Sequence, residues 1–159
     1  MKNLMAVFVV ALVATTQAHA AQLDKQLTGK WQSLCKKASG NYLRITSSFS
    51  ADGYYSAKSV FYTDAACKET NGVEIISNGK YRLGRSLTAA GGESAREIDI
   101  DVHELVSGGL QLPGSGQKIA QVIAIIDDKL IFGDAPGLQA VTGGERPQKL
   151  NHKFYSRKQ

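Results

Sequence analysis

The sequence predicts an all-β domain, an antiparallel up-and-down barrel of about eight strands. Three observations point there. Past the first twenty residues, apolar and polar side chains alternate with period two in one short segment after another. Turn residues punctuate those segments, Asp52-Gly53 and Asp127-Asp128 among them. No long stretch repeats with the period of a helix. The chain has 159 residues, 43% hydrophobic and 21% charged, which suits one globular domain and excludes a disordered or fibrous chain.

Residues 1–20 read as a secretory signal peptide. Lys2 supplies the positive start, Leu4 to Ala14 the apolar core, and Ala18-His19-Ala20 the cleavage site. The apolar core has about half the length that spans a bilayer. The mature domain is then residues 21–159, soluble and periplasmic or secreted, without an integral membrane segment.

Gln22 to Leu27 makes a short helical turn. The first strand follows over Leu27 to Cys35. Tyr42 to Phe49 alternates, with Leu43, Ile45 and Phe49 on one face. Asp52-Gly53 turns the chain into Tyr54 to Thr63, aromatic and β-branched. Asp64 to Gly72 is a polar connection. Val73 to Leu83 is extended, broken at Asn78-Gly79 by either a bulge or a tight turn. Ser86 to Ala95 reads as a loop. Arg96 to Leu105 turns Ile98, Ile100 and Val102 inward and Asp99, Asp101 and His103 outward. A second loop, Ser107 to Gln117, leads to Lys118–Ile126, apolar enough to be buried on both faces. Asp127-Asp128 turns into Lys129 to Phe132. A long loop, Ala135 to Gln148, precedes the closing strand, Leu150 to Arg157.

Cys35 and Cys67 are the only cysteines, and both lie in the mature part. An even count in an exported chain predicts a disulfide. A metal site or reactive thiol would need His partners, and His103 and His152 stand isolated in the sequence.

Gly29-x-Trp31, just after the helical turn, resembles the opening motif of lipocalin and calycin barrels. The wider pattern, with Cys35 and then Tyr62-x-Asp64-x-x-Cys67, is similar to small exported lipocalin-like proteins of bacteria. The resemblance implies that Gly29 and Trp31 sit at the closed end. It also implies that a late basic residue, Arg157 with Lys158 beside it, covers the Trp31 ring.

Function is less direct. Asp99, Asp101 and Glu104 fit a solvated strand face, and Asp127-Asp128 fits a turn. No nucleophile elbow, phosphate-binding loop or dinucleotide fingerprint is present, so neither catalysis nor a cofactor or metal is expected. A net charge of +5, +4 without Lys2, is too scattered to imply nucleic acid. Arg82, Arg85, Arg96, Arg146, Lys149, Lys153, Arg157 and Lys158 could form a basic surface for anionic partners. The leading expectation is a small apolar or amphipathic ligand inside the barrel. Phe61, Tyr81, Leu83 and Ile100 would line it, with Ser47 and Ser59 as polar groups. The alternative is a protein partner bound through the long loops, as in an inhibitor or adhesin-like module.

Overall fold

The computed structural model describes residues 23–134 and 145–159. The leader, its cleavage site and most of the loop Ala135 to Gln148 lie outside them. A short helix over residues 23–27 leads into β1 (Gly29–Ser33) and β2 (Lys36–Ala38). Next come β3 (Asn41–Phe49), β4 (Tyr54–Tyr62), β5 (Thr70–Thr88) and β6 (Ser94–Ser107). β7 (Leu110–Gln111), β8 (Lys118–Ile126), β9 (Lys129–Gly133) and β10 (Leu150–Lys158) complete the described chain.

Every pairing is antiparallel, in the order β1-β10-β9-β8-β6-β5-β4-β3, and β3 returns to β1 to close the ring. Eight strands thus form the barrel. β2 and β7 are short additions, paired with β3 and β6. Closure removes the free edges that would otherwise invite association.

The alternation predicted from sequence holds around the wall. Ile98, Ile100 and Val102 are buried inside, and β8 is buried on both faces through Val122, Ile123 and Ala124. The outer face of β8 is covered because half of the predicted loop Ser86 to Ala95 is strand, closed by a turn over residues 89–93. β5 and β6 extend through it, pairing Leu87 with Ala95 and Thr88 with Ser94. Their hairpin packs Ala89 and Ala95 on Val122, Ala124, Ile131 and Leu150, a second core outside the barrel. Small polar residues read as loop because the surface they bury appears only once β8 and β9 are assembled.

Asn78-Gly79 is a bulge, not a turn. Asn78 lies opposite Glu104 and Gly79 opposite Val102, so His103 is the extra residue. A side chain at Gly79 would strike the Asp101 carbonyl oxygen, which is why the position takes glycine. The predicted turn at Asp127-Asp128 is tight, with both residues at positive φ (49° and 58°).

Candidate functional site

The two ends of the barrel differ. At the closed end the helix is pressed under the strands and Leu27 is fully buried. The Trp31 indole N–H donates to the Leu27 carbonyl at 2.7 Å. The Lys158 ammonium donates to the Gln26 carbonyl at 3.0 Å and stands 5.5 Å from the Trp31 ring centre. The last carbonyls of the helix, which lack partners within it, are thereby satisfied. Gly29 suits this place by its φ of +125°, and an added Cβ would also crowd the passing Lys158 side chain at 3.0 Å.

The cover over Trp31 is therefore Lys158, and the expectation for Arg157 is corrected. Lys158 lies directly across from Trp31, so the two side chains share a face. Arg157 pairs with Gln32, one residue out of phase, and its guanidinium stands 5.6 Å from the Tyr155 ring. A one-residue step along a strand reverses the face.

Above Trp31 the floor is aromatic. Phe49 meets Tyr81 edge-on at 5.2 Å and Tyr55 at 5.4 Å. The Tyr81 hydroxyl donates to the Ser50 carbonyl at 2.7 Å, so it is engaged within the wall. Burial pushes the Tyr81 phenol up, helped by the negative charges of Asp24 and Asp52. The Tyr55 hydroxyl lies deeper and bonds Ser47; burial raises its pKa to about 12 against that hydrogen bond. Leu83 and Ile100 pack into this same cluster.

Phe61 lies elsewhere. Leu43 is its partner across β3–β4, six residues along β4 from Tyr55, or about 20 Å at strand spacing. The four expected lining residues thus divide: Tyr81, Leu83 and Ile100 belong to the floor, Phe61 to the opposite end.

At that opposite end the inward positions form two rows. One runs Lys36–Leu43–Phe61 and the other Ile45–Ser59–Ile75. All but Lys36 are half-buried, in contrast to the sealed floor, and Lys36 is exposed. On β1, β3, β4 and β10 the inward side chains between floor and mouth are small (Ser33, Ser47, Ala57 and Ser156), and the large core residues Leu130, Ile123 and Val102 fill the interior from β9, β8 and β6. The mouth is therefore a partly exposed apolar wall.

The Cys35–Cys67 disulfide stands at this end, with Cα atoms 5.9 Å apart. It ties the β4–β5 connection to the break between β1 and β2. The motif residue Asp64 shapes that connection. Its carboxylate accepts from the backbone N–H groups of Glu69, Ala66 and Lys68, and these bonds hold its pKa below the usual range. Cys67, at φ 52°, is then delivered to Cys35.

Other candidates separate. His103 is on β6 and His152 on β10, which are not neighbours. The His152 Nε2 atom lies 2.7 Å from Glu93, clasping the β5–β6 hairpin to β10. The basic residues also split. Arg85 and Arg146 pair with Glu97, Arg146 also with Asp99, and Arg96 with Asp24. These arginines hold the fold. A groove of about 530 Å³ is lined by Gly29, Phe49, Tyr54, Tyr55, Asn78 and His103, and a recess of about 360 Å³ by Trp31, Ile125, Asp128, Arg157 and Lys158, so both lie toward the Trp31 end of the barrel.

Sequence reasoning missed Lys36. The stretch Lys36-Lys37-Ala38 carries no apolar alternation, so β2 goes unread. Its phase depends on an extra residue at Leu34–Cys35: Gln32 faces Thr46, but Lys36 faces Leu43, four residues against three.

Compared with known proteins, the chain matches no family model and no curated protein. The closed eight-stranded barrel is compatible with a calycin-like fold. Among the described residues, no helix is long and apolar enough to cross a membrane.

Proposed function

We propose that this chain is an exported, non-catalytic, lipocalin-like protein that binds a small apolar or amphipathic molecule at the open end of its barrel. One observation carries the reading. The floor is sealed by Trp31, Phe49 and Leu27, whereas the inward residues Leu43, Ile45, Phe61 and Ile75 stay half-exposed. Apolar side chains turned into a barrel and left partly exposed supply a driving force that a ligand would complete. Export is supported by the leader and by the Cys35–Cys67 disulfide.

Titration with a neutral apolar fluorescent probe tests this. Saturable one-to-one binding is expected, weakened by Phe61→Asp while the fold persists. The second reading, docking of a protein through the loops, has one specific support: Leu110, 73% exposed beside the β6–β7 turn. Absence of probe binding, with a protein co-purifying in native mass spectrometry and lost on Leu110→Ser, would favour it.

A further inference from the structure

The bulge at His103 stands at the end of a polar row that the barrel interior does not explain. Trp31, Ser47 and Ala57 are buried inside, so Lys30, Ser48 and Ser56, one residue away on their strands, face out. These three lie opposite one another, and the row continues through Asn78 on β5 to Glu104 on β6. It thus crosses five strands. It begins with an ammonium, passes two hydroxyls and an amide, and ends on a carboxylate.

The two serines are short, so the middle of the row is a trough. With Tyr54 and His103 the row lines the groove of about 530 Å³, a volume in the range of small-molecule sites. The bulge brings both His103 and Glu104 to this groove, where a regular strand would turn one of them away. Tyr54 is 55% exposed there, and the Lys80 ammonium stands 5.5 Å from the centre of its ring.

The chemistry of the row selects an occupant. Lys30 and Glu104 offset each other, so the row carries no net charge for an ionic ligand to neutralise. Asn78 donates through Nδ2 to Glu104 at 2.8 Å, which fixes both groups and leaves the amide oxygen and the second carboxylate oxygen as acceptors. The ammonium donates, and the serine hydroxyls do both. A neutral polyol, whose hydroxyls each donate and accept, satisfies such a mixed row, and the apolar face of a sugar ring stacks on an exposed tyrosine. The polar groups repeat at the strand spacing of about 4.8 Å, close to the advance of one pyranose ring along an extended glycan.

We propose that this groove is a second binding site, for a neutral oligosaccharide of extended shape lying across the strands with one ring on Tyr54. The site is independent of any ligand at the open end. Among the described residues Glu104 is the sole carboxylate lining the groove, whereas most glycoside cleavage uses two flanking carboxylates, so the groove holds the glycan without cutting it.

The test titrates the mature protein calorimetrically with cellotriose, which is extended, and with maltotriose, whose linkages curl the chain. Saturable one-to-one binding of cellotriose is expected, with maltotriose weaker. Tyr54→Ala should weaken cellotriose about ten-fold, the size of one lost aromatic contact. Ser56→Gln, which fills the trough without adding charge, should abolish binding. Lys153→Ala, exposed on β10, should leave it unchanged. Added salt should have no effect, because the ligand is neutral. The proposal is overturned if cellotriose does not bind saturably, if maltotriose binds as tightly, if trigalacturonic acid binds more tightly than cellotriose, or if binding survives both Tyr54→Ala and Ser56→Gln in folded protein. The apolar-probe titration is read separately, so either site can fail alone.

Discussion

The closed and open ends of this barrel are built from the same strands with opposite results. At the closed end each polar group brought inside has a partner: the Trp31 indole on Leu27, the Lys158 ammonium on Gln26, the Tyr81 hydroxyl on Ser50. Leu27, Trp31 and Phe49 there reach full burial. At the open end the inward row begins with a cation and continues with half-exposed Leu43 and Phe61. The connections are held instead by a covalent bridge and by the Asp64 turn. The difference teaches where stability and binding reside. Packing holds the floor; cross-linking holds the mouth and leaves its apolar surface available.

The largest effect that would sharpen this contrast is Trp31→Ala. A fully enclosed ring lost from the floor should cost roughly 3 to 5 kcal/mol in chemical denaturation. Replacing both Cys35 and Cys67 with Ser should cost roughly 3 to 4 kcal/mol by loss of loop closure over a sequence separation of 32. That loss concentrates at the mouth, so hydrogen exchange should rise first in β2 and the β4–β5 connection, before β8.

Titration separates the ends too. The Tyr55 phenol titrates near 10 when unfolded and at about 12 in the fold, so between those values the native state holds the proton longer. Stability is fully present below pH 10 and falls as pH rises toward 12, by about 3 kcal/mol in all. Tyr55→Phe should flatten that slope in a denaturation series across pH 9 to 12.

Phe61→Ala at the mouth should cost only about 1 kcal/mol of stability, since the ring is already half-exposed. Probe affinity should drop about five-fold or more. A stability loss matching that of Trp31→Ala would break the comparison, because the mouth would then be packed core. The smallest effect distinguishes two neighbours. Lys158→Ala should cost about 0.5 to 1 kcal/mol through the Trp31 ring and the Gln26 carbonyl, and Arg157→Ala less than about 0.5 kcal/mol.

Much of this architecture was legible in the chain. Period-two alternation is a local property, so the chain itself marks the bounds of Lys118–Ile126 and the inward set Ile98, Ile100 and Val102. Turn chemistry is local as well, which is why Asp127-Asp128 was found. Cysteine parity and the leader predicted the bridge. The strand count and closed barrel followed from the number of such segments.

What only the tertiary structure decided is phase and partnership. Whether Arg157 or Lys158 covers Trp31 depends on the β1–β10 register, a relation between residues more than 120 positions apart in the chain. Whether Lys36 or Lys37 enters the barrel depends on one extra residue at Leu34–Cys35. Ser86 to Ala95 became a hairpin because β8 and β9 presented an outer apolar face for it to cover. The physical reason is common to all three. A strand's alternation specifies two faces but not which is inside, and a one-residue slip exchanges them. The exchange is settled by neighbours that come together only on folding, and the sequence by itself carries the alternation without the register.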